Sequence, residues 1–145
     1  MKFLLWYLIF KFIGHLYLKG NCNLVLNDKI FSYLYLGENT VTELNNCEFI
    51  CAYIDGDFSR QFYSYGNTVV NDSVFLNKSI CSYGNGSLTL NNCDVSISHS
   101  SSTPIDASGN LVINGGTYNL QATQDGNLIY VKGGLTITGG TFNFE

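Results

Sequence analysis

The sequence predicts an all-β protein, a right-handed parallel β-helix (a solenoid) of about six coils. Three observations predict it: a short phrase that returns six times, apolar residues that alternate with period two, and Gly or Asn at the turns between runs. A parallel β-helix needs all three, because its coils repeat, consist of strands and turn sharply.

The repeated phrase is an aliphatic residue, a small polar turn and then, usually, an aromatic residue. Its first residues, predicted to form an aliphatic core column, are Leu26, Leu44, Val70, Leu90, Ile113 and Ile137. Successive copies lie 18, 26, 20, 23 and 24 residues apart, and this mean of about 22 is typical of stacked repeats. The bulky residues that close the phrase, predicted to stack inside the core, are Phe31, Phe49, Phe75, Val95, Tyr118 and Phe142.

A polar column runs between these two apolar columns. It consists of Asn27, Asn45, Asn71, Asn91, Asn114 and Thr138. An amide at each corner can hydrogen-bond to the coils above and below it, which predicts an asparagine ladder. A ligand-binding row of amides is the alternative.

Strands rather than helices connect the corners. In Leu135-Thr136-Ile137-Thr138 every second residue is apolar, which is the strand period. Pairs such as Gly115-Gly116 and Gly139-Gly140 supply the backbone freedom that sharp corners require. A leucine-rich repeat has a similar period, but it needs a longer consensus and a helical segment, which these Gly-rich corners do not fit.

The N-terminal segment differs from the repeats. Residues 1–15 hold a lysine followed by eight apolar residues, which fits either a secretory signal or an apolar cap on the first coil. No A-x-A cleavage site follows, and the tail of an earlier coil is a third interpretation. The solenoid domain is predicted over 16–145, and the signal-like start favours an extracellular or cell-surface location.

Composition excludes one class of partner and gives little support to a metal centre. Charged residues make up 12% of the chain and the net charge is −4. A nucleic-acid-binding surface needs a basic stripe, so no nucleic-acid partner is expected. Five cysteines show neither a C-x-x-C pair nor a complete zinc spacing, and we interpret them as small core and turn residues.

The predicted binding site lies in the longest stretch between repeats, Ala52–Gly66. Insertions project from one face of a solenoid, so Asp55 and Asp57 are candidate oxygen donors and Tyr63 and Tyr65 a candidate stacking surface. Calcium is the one cofactor these residues suggest, with Asp55, Asp57 and Asp125 as candidate ligands. A polar surface turn is the alternative. The tyrosines in excess of the core are Tyr33, Tyr35, Tyr53, Tyr63, Tyr65, Tyr83 and Tyr130.

No catalytic motif is found. Glu48 and Asp94 share a column two coils apart, roughly 9–10 Å by strand spacing, a separation compatible with an inverting glycosidase. Neither residue has a basic or aromatic consensus beside it, and His15 and His99 lack partners in the sequence. We assign no catalytic residues.

The C-terminal third carries a resemblance. Leu111–Tyr118 and Leu135–Phe142 resemble the coils of right-handed parallel β-helix proteins, and in particular the cell-surface carbohydrate-binding β-helix family with repeated LTITGGTY/F coils. Residues 122–127 look like that family's acidic loop, with Asp125 matching one of its two acidic positions. The resemblance implies binding of polysaccharide without cleavage and calcium at the loop. The earlier coils resemble adhesin β-helices.

The sequence therefore predicts a non-catalytic module that binds polysaccharide or mediates adhesion. A polysaccharide lyase or glycoside hydrolase of pectate-lyase or phage-tailspike type is the alternative, since such enzymes share the fold. The last strand has no polar cap, so we expect a piece of a larger β-helix, or self-association end to end or as a trimer through open strand edges.

Overall fold

The computed structural model describes residues 12–50, 62–99, 103–122 and 126–145. These ranges contain strands and no helix. In chain order the strands are β1 (Phe12–Leu18), β2 (Cys22–Asn27), β3 (Ile30–Leu36), β4 (Thr40–Asn45), β5 (Glu48–Ile50), β6 (Phe62–Ser64), β7 (Asn67–Asn71), β8 (Val74–Leu76), β9 (Ile80–Ser82), β10 (Leu88–His99), β11 (Ile105–Ala107), β12 (Leu111–Ala122), β13 (Ile129–Val131) and β14 (Leu135–Phe144).

Every strand pairs in parallel with its copy one coil along the chain, and the pairs form three ladders. The first ladder contains β2, β4, β7, β10, β12 and β14. The second joins the start of β3 to β5 and β8 and continues through the later halves of β10, β12 and β14. The third contains β1, the end of β3, β6, β9, β11 and β13. The predicted all-β parallel solenoid is confirmed.

The first described strand belongs to the third ladder. Strand β1 begins at Phe12 and pairs with β3, so residues 12–15 are in the stack. Residues 1–11 lie outside the described ranges.

The corner between the first and second ladders requires a left-handed backbone. Asp28, Asn46, Asp72 and Asn92 have φ between 48° and 54°, and Gly115 takes the same position with φ 80°. Asn and Asp tolerate this region better than other residues with a Cβ, which explains why the repeated phrase carries them. Their side chains also bond between coils, since Asn46 Nδ2 donates to Asp28 Oδ1 at 2.6 Å and Asn92 Nδ2 to Asp72 Oδ1 at 2.8 Å.

The predicted asparagine ladder is present along the whole stack. Each Nδ2 donates to the Oδ1 of the preceding coil: Asn45 to Asn27 (2.9 Å), Asn71 to Asn45 (2.7 Å), Asn91 to Asn71 (2.7 Å) and Asn114 to Asn91 (2.8 Å). The Thr138 hydroxyl completes the ladder with a 2.6 Å bond to Asn114 Oδ1. These amides hold neighbouring coils in register, which is the structural role predicted for them.

The two predicted apolar columns form the core. Phe31, Phe49 and Phe75 are buried and stacked, with ring centroids 5.4 and 4.4 Å apart, and Tyr118 stacks on Phe142 at 4.9 Å. The aliphatic column is buried from Leu26 to Ile113, whereas Ile137 in the last described coil is 45% exposed. The C-terminal end of the stack therefore presents core side chains on its surface.

A column of glycines forms the corner between the third and first ladders. It consists of Gly66, Gly86, Gly109 and Gly133. A Cβ at Gly86 would overlap the carbonyl oxygen of Gly66, and a Cβ at Gly109 would overlap that of Gly86. From Gly66 to Gly133 successive coils therefore approach too closely for a side chain, whereas the two preceding coils carry Thr40 and Cys22 at this position.

The described cysteines are free thiols. Cys47 and Cys93 are buried at equivalent corner positions, where each thiol lies near two backbone carbonyls, at 3.4–3.8 Å for Cys47 and 3.5 Å for Cys93. Ser73 takes the equivalent position in the coil between them, and its Oγ donates to Asn71 O at 2.7 Å. The expected core and turn role is confirmed for these two residues.

Candidate functional site

Among the described residues, the outer surface of the third ladder carries the largest group of aromatic side chains outside the core. We call it the tyrosine face and define it by Tyr17, Tyr33, Tyr35, Tyr63, Tyr65 and Tyr83. Its origin is the strand period: in β3, Leu34 and Leu36 are buried while Tyr33 and Tyr35 are half-buried on the opposite side. Parallel register then places Tyr17, Tyr35 and Tyr63 side by side in successive coils.

The rings of the tyrosine face contact one another without interruption. Tyr17 and Tyr35 are stacked at 4.2 Å, whereas the later contacts are tilted. Tyr35 lies 5.4 Å from Tyr65, Tyr65 lies 5.7 Å from Tyr83, and Tyr63 lies 6.2 Å from both Tyr33 and Tyr83. Stacked rings cover each other's faces, so the tilted rings of Tyr63, Tyr65 and Tyr83 are better placed to offer a face to a ligand.

Two phenolic hydroxyls of this surface, those of Tyr33 and Tyr35, have a pKa raised above the ordinary value. Burial raises the pKa of Tyr33, and the neighbouring phenols of Tyr17 and Tyr65 raise it further. Burial also raises the pKa of Tyr35, and the hydrogen bond between its hydroxyl and Tyr17 is the next cause. At neutral pH both groups are therefore uncharged and able to donate a hydrogen bond.

Charged groups lie at the two ends of the tyrosine face. The Lys19 ammonium lies 5.3 Å from the ring centroid of Tyr17, within cation–π range. At the other end the Tyr83 hydroxyl donates to Asp106 Oδ2 at 3.3 Å. Asp106 pairs in register with Tyr130, which is 46% exposed. The surface thus combines uncharged aromatic rings with polar groups at its edges.

The described residues include two of the four predicted ligand-binding residues, Tyr63 and Tyr65. Tyr63 and Tyr65 both belong to the tyrosine face, but they do not project in a loop. Residues 62–64 form β6 within the third ladder, and Phe62 is fully buried against Phe49 and Phe75. The predicted excursion is therefore shorter than Ala52–Gly66, because the strand alternation of Phe62-Tyr63-Ser64 places it in the stack.

The predicted calcium site stays a prediction. Asp55, Asp57 and Asp125 lie outside the described residues, as does Tyr53. Within the described ranges, no group of three His, Cys, Asp or Glu side chains lies close enough to hold a metal ion.

The carboxylate pair considered for catalysis is separated as its column predicted. Glu48 pairs in register with Val74, and Val74 with Asp94, so one whole coil lies between the carboxylates. His15 contacts the Tyr33 ring at a centroid distance of 5.5 Å. It therefore belongs to the edge of the tyrosine face.

One ring of the tyrosine face was missed from the sequence. Tyr17 sits in Leu16-Tyr17-Leu18, which pairs residue for residue with Leu34-Tyr35-Leu36. Comparison of these two identical tripeptides would have placed Tyr17 in the same outward row.

Comparisons with known proteins leave the chain without an assigned relative. No protein-family model matches it, and neither do any curated protein sequences or solved structures. Among the described residues, no helix has the length and apolar character that crossing a membrane requires. The functional interpretation therefore depends on the geometry of the site.

Proposed function

We propose that this protein is a non-catalytic extracellular or cell-surface module that binds polysaccharide through the tyrosine face. The observation that carries the proposal is the contiguous set of six tyrosines from four successive coils. A solenoid repeats at a fixed spacing of ~4.8 Å per coil, so this surface offers similar contacts along a line. A long polymer lying along the axis can use such a line, whereas a small ligand can use one part of it.

Tyrosine suits this role because its ring is apolar and its hydroxyl is a hydrogen-bonding group. The apolar faces of sugar rings can pack against the tilted rings, and sugar hydroxyls can bond to phenols that remain protonated. The uncharged rings between the two charged ends favour a neutral glycan. An acidic glycan would need a bridging cation, for which Asp55 and Asp57 remain the candidates.

The test is retention on insoluble or immobilised glycans, with cellulose, pectin and bacterial capsule as probes. Replacing both Tyr63 and Tyr65 by Ala removes two aromatic contacts, each worth about 1 kcal/mol, so retention is expected to weaken roughly thirtyfold. The matched control replaces Val25 and Val69 by Ala, since both are exposed on the outer surface of the first ladder. Retention that is unchanged by the tyrosine variant on every glycan would contradict the proposal.

The same incubations test the rival enzymatic function. Release of new reducing or unsaturated ends would favour a lyase or hydrolase. Adding a chelator distinguishes calcium-dependent binding from direct binding to the tyrosine face. If binding to a neutral glucan is unchanged by the chelator, calcium has no role in it and the tyrosines are the remaining contacts.

A further inference from the structure

A cleft of about 480 Å³ adjoins the tyrosine face where the third ladder turns into the first. Tyr65 forms part of its wall, together with Glu38, Asn39, Asn67 and Asn85. Small-ligand sites commonly have volumes of about 300–1,000 Å³. The cleft is therefore large enough to hold a small ligand, and it shares a ring with the proposed polymer-binding surface.

The turn geometry keeps the cleft open. Asn39 and Gly84 adopt left-handed conformations, with φ 60° and 73°. Gly66 and Gly86 also line the cleft, and a Cβ on either would overlap a backbone oxygen of a neighbouring coil. Because the coils stack so closely, these two positions must be glycine. The absence of side chains there leaves space between the surrounding polar side chains.

The Asn and Glu side chains of the cleft are exposed, and among the described residues they have few hydrogen-bond partners. Asn67 Oδ1 accepts from Ser87 N at 3.0 Å and from Ser87 Oγ at 3.1 Å, which fixes the amide. The described residues supply no partner for its Nδ2 group, nor for the side chains of Glu38, Asn39 and Asn85. The Asn39 and Asn85 amides can both donate and accept, Asn67 can donate through Nδ2, and the Glu38 carboxylate accepts only.

We infer that this cleft binds one neutral hexose unit and selects it among the sugars of a longer chain, an inference that rests on the proposed function. A hexose has an apolar face for the Tyr65 ring and several hydroxyls for the amides. Glu38 accepts a hydrogen bond from a sugar hydroxyl and repels an acidic sugar, since no cationic side chain lines the described cleft. The tyrosine face supplies length of contact, and the cleft supplies selectivity.

Asn67→Asp tests the cleft directly. The substitution keeps an oxygen to accept from Ser87 and removes the two Nδ2 donors. Asn110→Asp is the matched control, because Asn110 Oδ1 accepts from Gly134 N at 2.9 Å in the same way but lies outside the cleft. Loss of one hydrogen bond to the ligand predicts binding about fivefold to tenfold weaker for Asn67→Asp and unchanged for Asn110→Asp.

The measurement is a titration of the full chain with glucose, galactose and mannose, and with galacturonate as the acidic counterpart, followed by NMR of the Asn side-chain amides. We expect shifts at Asn39, Asn67 and Asn85 with at least one neutral hexose, weaker shifts with galacturonate, and stronger galacturonate binding in Glu38→Gln.

Retention on polysaccharide without any shift in the cleft would overturn this inference and leave the proposed binding at the tyrosine face unaffected. Hexose-dependent shifts in a protein that no polysaccharide retains would support the cleft and refute the proposed function. Equal weakening by both Asp variants would also overturn the inference.

Discussion

The asparagine ladder makes a quantitative prediction for Asn91→Ala. Asn91 Nδ2 donates to Asn71 Oδ1 at 2.7 Å, and Asn91 Oδ1 accepts from Asn114 Nδ2 at 2.8 Å. Alanine removes both bonds and leaves a donor and an acceptor of neighbouring coils without their partner. At about 1 kcal/mol for each bond, the free energy of unfolding should fall by about 2 kcal/mol.

For a chain of 145 residues, a loss of ~2 kcal/mol corresponds to a fall in Tm of about 4–8 °C. Thermal unfolding followed by circular dichroism measures the Tm, and urea unfolding measures the free energy. Asn23→Ala is the control, since Asn23 is exposed and makes no side-chain hydrogen bond within the described ranges. Asn91→Thr should recover part of the loss, because Thr138 bonds within the same column through its hydroxyl.

A change below about 0.5 kcal/mol in Asn91→Ala, equal to that of the control, would refute the reasoning. It would mean that water replaces the amide bonds of this half-buried column without cost. The stacking of coils would then depend on the core and the backbone ladders alone.

Three further predictions concern stability and association. Gly86→Ala should lower the free energy of unfolding by several kcal/mol, because its Cβ would overlap the Gly66 carbonyl, whereas Gly139→Ala makes only ordinary contacts; equal effects in urea unfolding would count against the close approach. Burial raises the pKa of Cys93 from 9.0 to about 11, so the folded state holds a proton that the unfolded state loses. The protonated thiol therefore contributes its full stabilisation below pH 9, and this contribution, about 2–3 kcal/mol in total, is lost between pH 9 and 11. In Cys93→Ser the free energy of unfolding should fall less steeply over that pH range, and parallel stability–pH curves for the two proteins would contradict the assignment. Ile137, 45% exposed beside the open edge of β14, should promote self-association, so Ile137→Lys should lower the sedimentation coefficient at high concentration; a wild-type monomer at all concentrations would exclude this.

The repeating parts of the fold were predictable because each column appears in the sequence as one residue type that recurs at a regular spacing. The aliphatic and aromatic columns and the ladder asparagines recur with a recognisable spacing, and each feature has one dominant physical cause. The corners were predicted in part: the phrase carries a small polar turn there, but the positive φ of Asn46 and Asp72 was not predicted.

The candidate site was less predictable because it depends on register between coils. Tyr63 is adjacent to Tyr35 in space, but the two residues are separated in sequence by a segment of irregular length. The boundary of that segment was wrong, since three residues of alternating character are too few to identify β6 by pattern. The cleft was not predicted at all, because it is defined by bare backbone at Gly66 and Gly86.

The coil-by-coil pairing has a mechanical consequence. The backbone ladders join each coil to the coils before and after it, so an end coil can detach while the remaining coils keep their ladder bonds to one another. A pulling force applied at one end should therefore remove coils one at a time. Each step would release about 22 residues, or roughly 75 Å of extended chain. A module attached to a surface would lengthen in steps under load, and the remaining coils would keep their ligand contacts.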